Sequence, residues 1–173
     1  TKIYAGTQTV ESGGAAASAV LEGGSQVVEG TATGTKIYEG AQTVQAGGVA
    51  KDTALYYGAQ NIASQGIASG TTVYNGTQTV QQGGQAESTT VSGGNQVVEA
   101  GGAATGTVIA AGGTATIATD GTSTDTTVKG GDLLIEQNSN IKGNTALDGG
   151  DISLSAKGTA GNYQIDTLAI TST

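Results

Sequence analysis

The chain has 173 residues, 31 of them Gly, with 14 acidic residues against 6 Lys, no Arg, and a formal net charge of −8. With no basic patch to neutralise phosphate, this composition argues against nucleic acid and against anionic lipid as partners. His, Cys, Met, Phe, Trp and Pro are absent. That removes disulfides, Ser-His and Cys-His catalytic units and thiolate or imidazole metal clusters, and no apolar run is long enough to insert as a spanning helix.

From the first residues onward a single Gly returns in near-constant register. It stands at Gly6, Gly24, Gly40, Gly58, Gly76, Gly94, Gly113, Gly131 and Gly150, in steps of 18, 16, 18, 18, 18, 19, 18 and 19 residues. A fixed period of this length decides the architecture before any local reading. The unit is clearest in TTVYNGTQTVQQGGQAES (71–88) and TTVSGGNQVVEAGGAATG (89–106). The short step loses two residues where the Gly-Gly pair belongs, around Gly30–Thr31.

Three columns of residues follow the anchor. Four positions after it come Val10, Val28, Val44, Ile62, Val80, Val98, Ile117, Ile135 and Leu154. Three before it come Ile3, Leu21, Ile37, Leu55, Val73, Val91, Ala110, Val128 and Leu147, with Ile109 beside the weak Ala110. Ten after it the side chain is mostly small: Ala16, Ala50, Ala68, Ala86, Ala104, Ser123, Ile141 and Ala160. β-Branched runs divided by Gly predict short strands. One such coil cannot bury its own apolar residues, but stacked coils make a continuous core. The expected fold is all-β, a right-handed parallel β-helix of about nine coils of 16–19 residues.

Polar columns run beside the apolar ones. Gln8, Gln26, Gln42, Gln60, Gln78 and Gln96 share the inward parity of the aliphatic two residues later, which predicts an amide ladder along the axis. Tyr38, Tyr56 and Tyr74 fall on one outer edge, as an aromatic ladder or as an exposed contact strip for a partner or a sugar. Two Thr columns are read as outward: Thr9, Thr43, Thr79 and Thr116, and Thr1, Thr35, Thr53, Thr71 and Thr89. Acidic residues gather late, with Asp132 and Asp151 in equivalent places. The calcium-binding Gly-Gly-x-Gly-x-Asp nonapeptide is absent, and no metal or cofactor is expected.

The units TTVSGGNQVVEAGGAAT (89–105) and TKIYEGAQTVQAGGVAKDT (35–53) resemble the imperfect repeat, about nineteen residues long, of self-associating autotransporter adhesins of the AIDA and TibA type. The resemblance covers residues 1–161, the repeat region; residues 162–173 depart from it and are read as a continuation or the start of another segment. It implies a section of an exported passenger on the bacterial surface, delivered through a C-terminal β-barrel. It implies self-association with passengers on neighbouring cells, binding to a host-cell receptor, autoaggregation and biofilm formation. It also implies O-heptosylation by a cytoplasmic heptosyltransferase, with Ser12, Ser18, Ser25, Ser64, Ser88 and Ser92 as the serines placed outward or on turns. A β-helical polysaccharide lyase or hydrolase is the alternative, favoured by a carboxylate cluster in a groove. An ice-binding solenoid is a second alternative, favoured by a flat Thr face.

Overall fold

The computed structural model describes residues 1–155 and 164–170. These form one sheet of 24 strands, wound as a parallel β-solenoid of about nine turns, with no helix among the described residues. One coil contains Thr77–Val80, Gln85–Glu87 and Thr90–Val91. It lies between Ala59–Ile62, Ile67–Ser69 and Thr72–Val73 on one side and Asn95–Val98, Ala103–Thr105 and Val108–Ala110 on the other. Like stacks on like: Val80 sits between Ile62 and Val98, and Ala86 between Ala68 and Ala104. Each of these side chains is buried, and together they form a single core along the rod.

The columns hold with four adjustments. Ile109, not Ala110, pairs with Val91 and Val128, so the extra residue of that coil falls after the strand. Ala32 fills the small column in the short coil, between Ala16 and Ala50. In that coil Glu29-Gly30 replaces the Glu11-Ser12-Gly13-Gly14 turn, and Gly30 takes the place of the second Gly, bonding its carbonyl to Val49 as Gly14 bonds to Thr31. Leu154 keeps register with Ile135 but is 52 % exposed. Ala160 lies outside the described residues; Ile165, in the parallel strand Gln164–Ile170, is the residue that pairs with Ile141.

The corners need backbone that L side chains seldom adopt. At one corner Gly13, Gly47, Gln65, Gly83, Gly101, Asp120 and Asn138 have φ of 60–78°. At the next, Ser18, Gly34, Asp52, Gly70, Ser88, Gly106, Asp125 and Gly143 have φ of 52–70°. Asn, Asp and Gly are the residues that tolerate this region most readily. The second corner alternates strictly between a side chain and Gly. Over the two Asp the space is also tight: a Cβ on Gly70 would meet Asp52 Oδ1 at 2.7 Å, and Gly143 is likewise covered by Asp125, whereas Gly34 and Gly106 have room above Ser18 and Ser88.

The second Thr column is a correction. Thr35, Thr53, Thr71 and Thr89 are 1 % exposed and point inward; only Thr1 is on the surface. Each stands two residues before an inward aliphatic (Ile37, Leu55, Val73, Val91), so strand alternation puts it inside. Polarity alone suggested otherwise, but the interior supplies an acceptor. Thr53, Thr71 and Thr89 donate to the Gln Oε1 eleven residues earlier, across the interior of the same coil, at 3.2, 3.0 and 3.1 Å.

Candidate functional site

From Gln26 to Gln96 the Gln column is interior and fully used, with Gln8 half-buried at its end. Gln42 donates to Gln26, Gln60 to Gln42, Gln78 to Gln60 and Gln96 to Gln78, at 2.7–2.8 Å. Each of these Gln Oε1 atoms also receives a Thr hydroxyl, ending with Thr107 on Gln96. A buried amide is tolerable only when paired, and here the pairing is periodic. The ladder therefore stiffens the rod and offers nothing to a ligand. Past Gln96 the column turns apolar, to Ala115 and Leu133, and the Thr partner changes: Ser123 Oγ and Thr126 Oγ1 bond each other at 2.6 Å inside.

What the molecule presents is its corners and its outer faces. The six candidate serines divide among three places. Ser12 and Ser64 share the corner after the Val column, and both are exposed. The coil above Ser12 is the short one, which has no residue at that position, and Ser64 lies against Gly83, where a Cβ would meet its Oγ at 2.7 Å. Ser18 and Ser88 occupy the alternating corner, exposed, with Gly34 and Gly106 in the coils above them. Ser25 and Ser92 are half-buried and sit near the anchor Gly. None of the six is fully buried, and they are spread over three places around the coil rather than gathered on one face. Ser123, read as inward, is 1 % exposed.

The Tyr edge is a continuous stack. Tyr38 and Tyr56 have centroids 4.5 Å apart and planes 4° apart; Tyr56 and Tyr74 are at 5.0 Å and 10°. The coil repeat is itself close to the favoured distance between offset-stacked rings. The stack joins three coils from outside as the Gln ladder joins them from within. Tyr38 and Tyr74 remain 37 % and 41 % exposed, so the edge and hydroxyls of the stack face solvent. Tyr57 is a separate exposed ring.

Among the described residues, no group of three or more His, Cys, Asp or Glu is placed to hold a metal ion. Asp132 and Asp151 pair across adjacent coils on the outer face. A cavity of about 270 Å³ is lined by Asn140, Ile141, Lys142 and Asp166. Its carboxylate already accepts the Gly143 N–H at 3.2 Å, and Asp125 accepts from Asn144 at 2.9 Å, so both serve the bulge in Asn140–Leu147. For ice binding, the buried Thr column removes one of the two arrays, and the other is interrupted by Val27, Asn61 and Val97.

No protein-family model matches the chain, and no curated protein matches it in sequence. Among solved structures it is similar to the crystal structure of a TibC-catalysed, hyper-glycosylated fragment of TibA spanning 55–350, with a TM-score of 0.58 and 25 % identity. The match covers 98 % of this chain and 87 % of that one. TibA is the type to which the repeat was likened from its residues. The chain is a parallel β-solenoid of the same kind as that glycosylated fragment, along nearly its whole length.

Proposed function

We propose that the chain is a non-enzymatic passenger segment of an exported autotransporter adhesin: a stiff, O-glycosylated rod on the bacterial surface that joins cells to one another and to host cells. The observation that carries this reading is the likeness to the hyper-glycosylated TibA fragment over 98 % of the chain. The six outward serines give a cytoplasmic heptosyltransferase, a TibC-like partner, acceptors on every side. The self-association and host-receptor contacts are spread over repeated coils. Each contact is weak, and many rods on one cell convert weak contacts into avidity. Autoaggregation and biofilm formation follow from the same multiplicity.

The test is to display this segment on an outer-membrane β-barrel carrier and to follow cell settling. Cells bearing the segment settle faster than cells bearing the carrier alone, and unlabelled display cells pull labelled display cells into their clumps. Settling indistinguishable from the carrier at equal surface density contradicts the reading.

A further inference from the structure

The Tyr stack ends where a hydroxyl begins. Within it, each inner ring face is covered by a neighbouring ring. Two faces are left, one at each end. The lower one meets a register break: Leu21 pairs with Ile37 but Glu22 pairs with Glu39, so no residue of the coil below stands opposite Tyr38. The upper one is in register. Val73 pairs with Val91, and Ser92 N–H donates to the Val73 carbonyl at 2.8 Å, which sets Ser92 directly above Tyr74. Gly93 and Gly94 follow it, and the register continues to Ala110 in the coil above, so the two positions next above Tyr74 in the column carry small side chains.

We propose that Ser92 carries an O-linked pyranose whose ring lies on the free face of Tyr74 and completes the column as a fourth ring. The proposal rests on the glycoprotein reading above and adds to it a site and a bound geometry. A sugar joined through Ser Oγ has its ring one bond further from Cα than a Tyr ring, so the two overlap when stacked at adjacent coils. Coils repeat at about 4.8 Å, a separation at which the C–H face of a pyranose contacts an aromatic face. The other five serines have no aromatic ring in register, so their sugars extend into solvent. The transfer uses a nucleotide-sugar donor. Ser92 Oγ attacks the anomeric carbon, the bond from that carbon to the diphosphate oxygen breaks, the nucleoside diphosphate leaves, and the hydroxyl proton passes to a base or water. The product is a mixed edge of three phenol hydroxyls and the sugar hydroxyls, held rigid by stacking and offered as one surface.

The experiment is to co-express the chain with the heptosyltransferase, map occupancy by glycopeptide mass, and record NMR spectra of the sugar protons. The expected result is sugar on Ser92, its ring protons moved upfield of those on Ser12 and Ser64, with through-space contacts to the Tyr74 ring. Tyr74→Leu returns those protons to the positions of the other sugars. Since the contacts are read in the unaltered sequence, the result does not depend on the variant folding. Sugar on other serines with Ser92 bare overturns the site. Sugar on Ser92 without upfield shift or Tyr74 contact overturns the stacking. No sugar on any serine overturns the glycoprotein reading itself, and is distinct from both.

Discussion

Gln60 is a buried amide with three partners. It donates to Gln42 at 2.7 Å, and its Oε1 accepts from Gln78 at 2.8 Å and from Thr71 at 3.0 Å. Gln60→Leu keeps the volume but orphans the Gln78 amide and the Thr71 hydroxyl. Gln96→Leu, at the end of the ladder, orphans only the Thr107 hydroxyl, because Gln78 Oε1 keeps Thr89. An unsatisfied buried group costs about 1–3 kcal/mol. Gln60→Leu should therefore lower unfolding stability by about 1–3 kcal/mol more than Gln96→Leu, measured as the shift of the urea midpoint at constant slope. Equal losses would show that the amide bond from Gln78 to Gln60 adds nothing to stability. At this scale the Gln column was legible because Gln8 and Val10 share a parity, and so do all their copies. The Thr column obeys the same rule, although polarity argues for the surface; the hydroxyl needs an acceptor, and its acceptor lies across the coil, nine or eleven residues away in sequence.

At the scale of the coil, the strands are short and the corners do much of the specifying. Gly84 is the second Gly of its pair and is buried. A Cβ there would meet the Ile62 carbonyl oxygen at 2.5 Å, and that oxygen belongs to the backbone of the coil below. Backbone cannot swing aside as a side chain can, so Gly84→Ala should cost about 1–3 kcal/mol by overpacking. A thermal melt unchanged from the parent would contradict the close coil approach at that corner. The period, the three inward columns and the location of the shortened coil could all be read from the spacing of Gly. The spacing did not say which Gly of the pair the short coil keeps, because that depends on which carbonyl Val49 reaches. Nor did it separate Ile109 from Ala110, since a one-residue insertion can fall on either side of a short strand. The alternation of Ser or Asp with Gly at the second corner is present in the sequence, and the structure gives a steric reason for it over Asp52 and Asp125.

Across the whole molecule the charge opposes association. Two rods of net charge −8 repel at long range. On the proposed reading, the attraction that overcomes this repulsion is short-range, and the residues offered for it are outward Thr9, Thr43 and Thr79, the Tyr38–Tyr56–Tyr74 edge, and Lys36 or Lys51 with Glu39 or Asp52 of a second copy. An antiparallel two-fold arrangement lets one patch serve both partners. Settling of display cells should then rise with modest salt, which screens the net repulsion, and fall at high salt, which weakens the charge pairs. Changing Tyr38, Tyr56 and Tyr74 together to Ser should slow settling at matched surface density; unchanged settling would leave the stack as a brace between coils and take it out of the contact. The kind of fold was legible at this scale because nine anchors keep one register. The contact surface was not, because outward residues on a solenoid obey no packing rule that a sequence can display.

Whether the chain is a glycosylated passenger is read from its intact mass when made in a cytoplasm with and without an active heptosyltransferase, with the TibA fragment as the positive control. A glycosylated passenger gives a series of equal sugar increments that appears only with the transferase, and peptides that map it to serines among Ser12, Ser18, Ser25, Ser64, Ser88 and Ser92 while leaving buried Ser123 unmodified. A mass that stays at that of the polypeptide while the TibA fragment is modified in the same cells would contradict it.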